Sequence, residues 1–275
     1  MNNLEELIEE LNGLVGLEGV KKDITNLIHL QEVRKMRRER GMVDVPMSNH
    51  LVFYGNPGTG KTTVARLLSK IYNKMGLLSK GQLVEVDRSG LVAGYVGQTA
   101  IKTKEAIDKA MGGILFIDEA YTLSYGGNEN DFGREAIDTL LKAMEDNRDD
   151  FIVIVAGYTE LMAGFIDSNP GLKSRFNKYI SFEDYTNEEL VLIFKVMSQK
   201  SGYELASETE DELPELFDKL YSDREDNFAN AREVRNFFEK VIIKQANRLY
   251  EIENPSNEDL ITITKDDVMI EEISE

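Results

Sequence analysis

The chain has 275 residues and a formal net charge of −18, with no cysteine, no tryptophan and only two histidines, His29 and His50. Disulfides and thiolate metal sites are therefore excluded, and two histidines offer no cluster for a zinc centre. The acidic balance disfavours a nucleic-acid partner, whose phosphate backbone is met by clustered Lys and Arg.

Met1–Glu10 is acidic and lacks a long apolar core, and no apolar run approaches the ~20 residues of a membrane span. The expectation is a cytosolic enzyme with one large and one small domain and no membrane partner.

Leu4, Leu7, Ile8 and Leu11 recur at helical spacing and predict a short amphipathic helix. Leu14-Val15-Gly16-Leu17 reads as a turn into a longer helix from about Val20 to Arg40. That helix carries a basic run, Arg34, Lys35, Arg37, Arg38 and Arg40, better explained by a solvated face or a contact between subunits than by a nucleic-acid patch.

Leu51–Tyr54, Leu83–Val86, Ile114–Ile117 and Phe151–Ala156 are short apolar runs with helical segments between them, the pattern of a parallel sheet covered on both faces. Beyond Tyr185 the sequence turns mostly helical, with Thr186 and Asn187 as caps and a long helix from about Asn230 to Tyr250. Leu260–Ile263 reads as a short strand, and Thr264 caps a last turn with Asp267 in the capping-box position. The fold class is α/β. An α/β nucleotide-binding domain is expected over 1–182, with N-terminal helices in 1–45, and a helical domain over 183–275.

Two motifs carry chemistry. Leu51–Thr63 runs from an apolar strand through a glycine loop into a helix, the phosphate-binding P-loop of a nucleoside triphosphatase. Gly55, Gly58 and Gly60 let backbone N–H groups approach polyphosphate oxygens, with Asn56, Pro57, Thr59 and Thr63 completing the segment. Lys61 would place its ammonium between the β and γ phosphates, and the Thr62 hydroxyl would join a Mg²⁺ shell. The second motif, Ile114-Leu115-Phe116-Ile117-Asp118-Glu119, is a strand ending in adjacent carboxylates. Asp118 would hold the Mg²⁺ through its water shell, and Glu119 would polarise the attacking water. The guanine-reading Asn-Lys-x-Asp of GTPases and the Leu-Ser-Gly-Gly-Gln signature of transporter ATPases are both missing.

With those classes set aside, the chain resembles AAA+ ATPases of the CbbX and stage V sporulation protein K branch. The likeness rests on Leu14–Leu17, Gly55–Thr62, Tyr95-Val96-Gly97, Phe116–Tyr121, Ala156-Gly157-Tyr158, Asn169–Phe176 and Asn230–Arg235, seven blocks in family order. The resemblance implies ATP with Mg²⁺ as cofactor, a homo-oligomeric ring expected as a hexamer, and a lid formed by the helical domain. It makes Arg175 an arginine finger reaching the neighbouring subunit's nucleotide, with Arg134 and Lys173 as alternatives. It makes Arg232 the second sensor, with Arg235 as the alternative, and offers Tyr158 or Thr159 as the first sensor. Val15 and Gly16 resemble the segment that packs on adenine.

Tyr95, Val96 and Gly97 resemble a pore loop that grips an extended polypeptide, and Gly90, Gly94 and Gly97 suggest mobility there; Tyr125–Gly133 is a possible second pore-facing loop. The implied activity is ATP-driven remodelling of a client protein. The alternatives are a DNA-directed loader or helicase-type motor, and a slow nucleotide-gated scaffold.

Overall fold

The computed structural model describes residues 3–45, 47–95, 97–124, 132–222 and 228–269. Its contacts divide the chain into two units, the first comprising 1–55 and 60–183, the second 56–59 and 184–275.

The first unit opens with α1 (Leu4–Asn12), started by a capping box between Asn3 and Glu6, and α2 (Glu18–Glu39). Then follow β1 (Leu51–Tyr54), α3 (Lys61–Lys74), β2 (Leu83–Val86), α4 (Arg88–Leu91), α5 (Gln98–Ala110) and β3 (Ile114–Ile117). A 3₁₀ turn at Ala120–Ser124 leads to α6 (Gly133–Asp146), β4 (Ile152–Gly157), α7 (Thr159–Asp167), α8 (Pro170–Arg175) and β5 (Tyr179–Ser181).

The five strands form one parallel sheet in the order β2-β3-β4-β1-β5. Alternation along each strand divides the core in two. Leu51, Phe53, Ile114, Phe116, Ile152 and Ile154 face one side, where α1 and α3 cover them. Val52, Leu115, Ile117, Val153 and Val155 face the other with α5, α6 and α7. Burial on both faces is what makes these strands read as continuous apolar runs.

Three residues of the basic run, Arg34, Arg37 and Arg38, are engaged by the segment that follows α2. Arg34 holds Asp44 through two bonds of 2.9 Å, Arg38 adds a third at 3.3 Å, and Arg37 donates to the Val43 carbonyl. These contacts fold the segment after α2 back along the helix, and the Arg34 hydrogen bond holds the Asp44 carboxyl below its usual range.

In the second unit, α9 (Asn187–Lys200) begins at a capping box between Thr186 and Glu189. It is followed by β6 (Glu204–Leu205), α10 (Ser207–Ser222), α11 (Ala231–Tyr250), α12 (Asn257–Ile261), β7 (Thr262–Ile263) and α13 (Lys265–Val268). Its core is an aromatic cluster in which Phe194 meets Phe217, Phe237 and Phe238 at centroid distances of 5.5–5.8 Å.

Two sequence expectations are revised. The first half of the predicted strand Leu260–Ile263 is helix, because Ser256 and Asp259 form a capping box that starts α12. Only Thr262–Ile263 is extended, pairing in parallel with Glu204–Leu205. Gly90 lies in α4, capped by Asp87, rather than in a glycine loop.

Candidate active site

β1 ends in the glycine loop, and each glycine at its turning points has a backbone that side chains resist: φ is +147° at Gly55, +71° at Gly58 and +93° at Gly60. A Cβ at Gly55 would collide with the Phe182 carbonyl, and one at Gly58 with the Ala229 carbonyl. The loop is therefore built for close backbone approach, the arrangement that polyphosphate binding uses. Lys61 begins α3 and its Nζ donates to the Gly55 carbonyl at 2.9 Å, so the ammonium stands over the loop's own backbone. The buried Thr59 hydroxyl donates to the Asn56 carbonyl at 2.8 Å and braces the crown. Pro57 lies in that crown, and Thr63 is exposed on α3.

β1 and β3 flank β4; Gly55 N–H donates to the Gly157 carbonyl at 3.1 Å and Ile117 pairs in parallel with Val155, so the three strands end at one edge of the sheet. Asp118 and Glu119 leave β3 at that edge, where ligands bind in open parallel sheets. Thr62 and Asp118 line one cleft of about 340 Å³ together with Glu85 and Asp87. A hydroxyl with carboxylates is the hard oxygen set that suits a divalent cation such as Mg²⁺.

Glu119 has φ +47°, rare for a residue with a side chain. Its carbonyl accepts from both the N–H (2.9 Å) and the hydroxyl (2.7 Å) of Thr122, while its own N–H donates to Asp118 Oδ1 at 3.1 Å. The backbone is thus held in a strained form that leaves the carboxylate exposed beside Asp118.

The other predicted residues are placed as follows. Val15 and Gly16 are partly buried in the turn between α1 and α2. Tyr158 precedes α7, its ring 6.1 Å from that of Tyr121, and Thr159 is exposed at the helix start. Arg175 ends α8 and pairs with Glu145 at 2.8 Å. Lys173 pairs with Asp167 at 2.9 Å, and Arg134 is exposed in the first turn of α6. Arg232 and Arg235 are exposed in the first turns of α11. Tyr95 is 74% exposed, ahead of Gly97 at the start of α5. Val96 and most of the predicted second pore-facing loop, 125–131, lie outside the described residues.

Sequence reading missed Asn230 and Asp184. Asn230 is fully buried, and Asp184 accepts both Asn56 Nδ2 and Asn230 Nδ2. In the sequence Asn230 looks like the start of a long helix, and nothing local marks its amide as a partner of residues more than 170 positions away.

The strand order, the glycine loop and the acidic strand end define a P-loop ATPase of the AAA class. Residues 51–184 match the model of the ATPase family associated with various cellular activities, and 186–275 match the AAA lid domain. The chain belongs to the AAA ATPases, in the group that holds stage V sporulation protein K and the CfxQ and CbbX proteins, and it is an ATP-hydrolysing enzyme.

Stage V sporulation protein K of Bacillus subtilis (strain 168) is 46% identical over 98% of this chain and 84% of that protein. CbbX of Cereibacter sphaeroides is 44% identical over 90% of this chain and 79% of that one. The chloroplastic ribulose bisphosphate carboxylase/oxygenase activase of Cyanidioschyzon merolae is 41% identical over 97% and 91%. A RuvB mutant of Thermotoga maritima superposes with a TM-score of 0.61 over 94% of this chain and 69% of that chain, at 19% identity, a likeness of fold. Among the described residues no helix is long and apolar enough to cross a membrane.

Proposed function

We propose that the chain is a ring-forming ATP motor, expected as a hexamer, that remodels a client polypeptide at a central pore. The observation that carries this reading is Tyr95, an aromatic 74% exposed on the connection between α4 and α5. A large exposed aromatic on a connection of small and apolar residues, Val92-Ala93-Gly94 before it and Val96-Gly97 after it, is suited to packing on extended chain. The similarity to a protein named as a ribulose bisphosphate carboxylase/oxygenase activase supports a protein client, without naming which.

In this mechanism the glycine loop's amides and Lys61 bind the phosphates. Thr62 and Asp118 would hold Mg²⁺, which when bound neutralises phosphate charge. Glu119 orients water and accepts its proton as it attacks. Arg175 is supplied to the neighbouring subunit's nucleotide, where its cation offsets charge developing on the γ phosphoryl group. A finger on one face and a nucleotide site on another make a heterologous contact, which closes into a ring by rotation. Arg232 is the proposed second sensor; Tyr158 or Thr159 serves as the first, and Val15 with Gly16 packs on adenine. The boundary proposed between nucleotide domain and lid lies at 182/183.

Specific ATPase activity measured against protein concentration, with sizing by light scattering, tests the reading. Activity should rise as subunits assemble in ATP. Concentration-independent hydrolysis by a monomer would defeat the ring motor and leave a nucleotide-gated switch.

A further inference from the structure

Asn230 is 0% exposed and has φ 49° and ψ −125°, a backbone that side chains avoid. It immediately precedes α11, where an Asn normally caps its own helix. Here it makes no side-chain cap bond. Its amide is used elsewhere: Oδ1 accepts the Tyr185 N–H at 2.9 Å, while Nδ2 donates to Asp184 Oδ1 at 2.8 Å and to the Pro57 carbonyl at 3.3 Å. Asp184 in turn accepts Asn56 Nδ2 on both oxygens at 3.0 Å. One residue along, Ala231 N–H donates to the Gly58 carbonyl at 3.2 Å. Three consecutive residues of the loop crown are therefore tied to the start of α11, and Asn230 is the centre of the arrangement.

We propose that Asn230 is a positioning residue for nucleotide binding, which fixes the shape of the glycine loop through Pro57 and through the Asp184–Asn56 pair. The proposal rests on the reading of Gly55–Thr62 as the phosphate-binding loop. Carbonyls of Pro57 and Gly58 engaged by donors from the α11 start cannot turn towards phosphate oxygens, which would repel them; the loop's N–H groups are left to bind. Because Arg232 lies two residues further on, the same bonds set the loop and the root of the proposed sensor together. A strained backbone persists where surrounding bonds over-determine it, and these bonds supply that constraint.

The experiment compares the full-length chain with Asn230→Gly, using equilibrium binding of a fluorescent ADP analogue with Mg²⁺, thermal melting and steady-state ATPase. Glycine relieves the positive φ and removes the amide. A purely structural Asn230 predicts unchanged affinity and lower melting, because the Tyr185 N–H, Asp184 and the Pro57 carbonyl lose its amide. Positioning predicts that Kd and KM rise at least tenfold while kcat changes less than threefold.

An affinity within twofold of wild type overturns the proposal. Lys61→Ala reads the parent assignment separately: if it binds as wild type the loop assignment itself fails, whereas lost binding in Lys61→Ala beside normal binding in Asn230→Gly sinks Asn230 alone. Should Asn230→Gly not fold, Asn230→Asp decides. It sets a carboxylate against Asp184 and must weaken binding, and adding Asp184→Asn restores a donor–acceptor pair in reversed sense. Recovery of at least tenfold in affinity supports the proposal, and no recovery overturns it.

Discussion

Arg175 and Glu145 form an ion pair, Nη2 to Oε2 at 2.8 Å, that joins the end of α8 to the last turn of α6. The Arg175 side chain is 32% exposed and its Nε is buried without a hydrogen-bond partner, so Glu145 satisfies only part of the guanidinium. The segment is anchored independently, since the Ser48 hydroxyl donates to the Arg175 carbonyl at 2.5 Å.

A half-exposed pair contributes about 0–1 kcal/mol, whereas an arginine finger changes turnover by about 10³-fold or more. Glu145→Gln should therefore shift ATPase activity less than about threefold, and Arg175→Ala should nearly abolish it. Mixing Arg175→Ala with wild-type subunits should depress activity out of proportion to its fraction. Equal losses in the two variants, or a linear decline in mixed rings, would reduce Arg175 to a partner of Glu145.

Glu119 combines strain with chemistry. Glu119→Gln should retain ATP binding and lower turnover by about 10²-fold or more, the scale of general-base catalysis. Glu119→Gly should do the same to turnover and raise stability by about 1 kcal/mol, because the φ of +47° no longer carries a side-chain penalty. Denaturant melts alongside ATPase rates check both parts; a destabilised Glu119→Gly chain would show that the backbone there is unstrained.

What was legible in the sequence follows from burial. β1, β3 and β4 are covered on both faces, so they appear as apolar runs, and the glycine loop appears because its geometry excludes other residue types. β5 escaped notice because only Ile180 of its three residues is buried. Relations between distant residues left no local pattern. The pairing of Arg175 with Glu145 spans 30 positions, and the use of Asn230 by the loop crown spans more than 170. The strained backbone at Glu119 is likewise set by Thr122 and Asp118 rather than by any preference of Glu.

Tyr95 is exposed, so truncating it should change stability by no more than about 0.5 kcal/mol. Tyr95→Ala should keep basal hydrolysis and lose its stimulation by a permanently unfolded polypeptide, while Tyr95→Phe, which retains the ring, should keep most of it. Hydrolysis assays with and without that polypeptide separate the cases. Full stimulation of Tyr95→Ala would dismiss the pore reading.

His50 makes stability depend on pH. Burial pushes its imidazole down from 6.5 to about 4, against a hydrogen bond to the Met144 carbonyl, with the Lys178 and Arg175 cations lowering it further. Its Nδ1 accepts the Val153 N–H at 2.9 Å, which requires that nitrogen unprotonated. The unfolded chain takes up a proton near pH 6.5 and the folded chain only near 4. Stability from this group is thus complete above pH 6.5, falls as pH drops towards 4 and is constant below, a total of about 3 kcal/mol. Urea unfolding of wild type and His50→Gln between pH 7.5 and 4.5 isolates the contribution from that of the carboxylates. The wild-type curve should fall more steeply, and parallel curves would mean that His50 titrates as freely when folded as when unfolded.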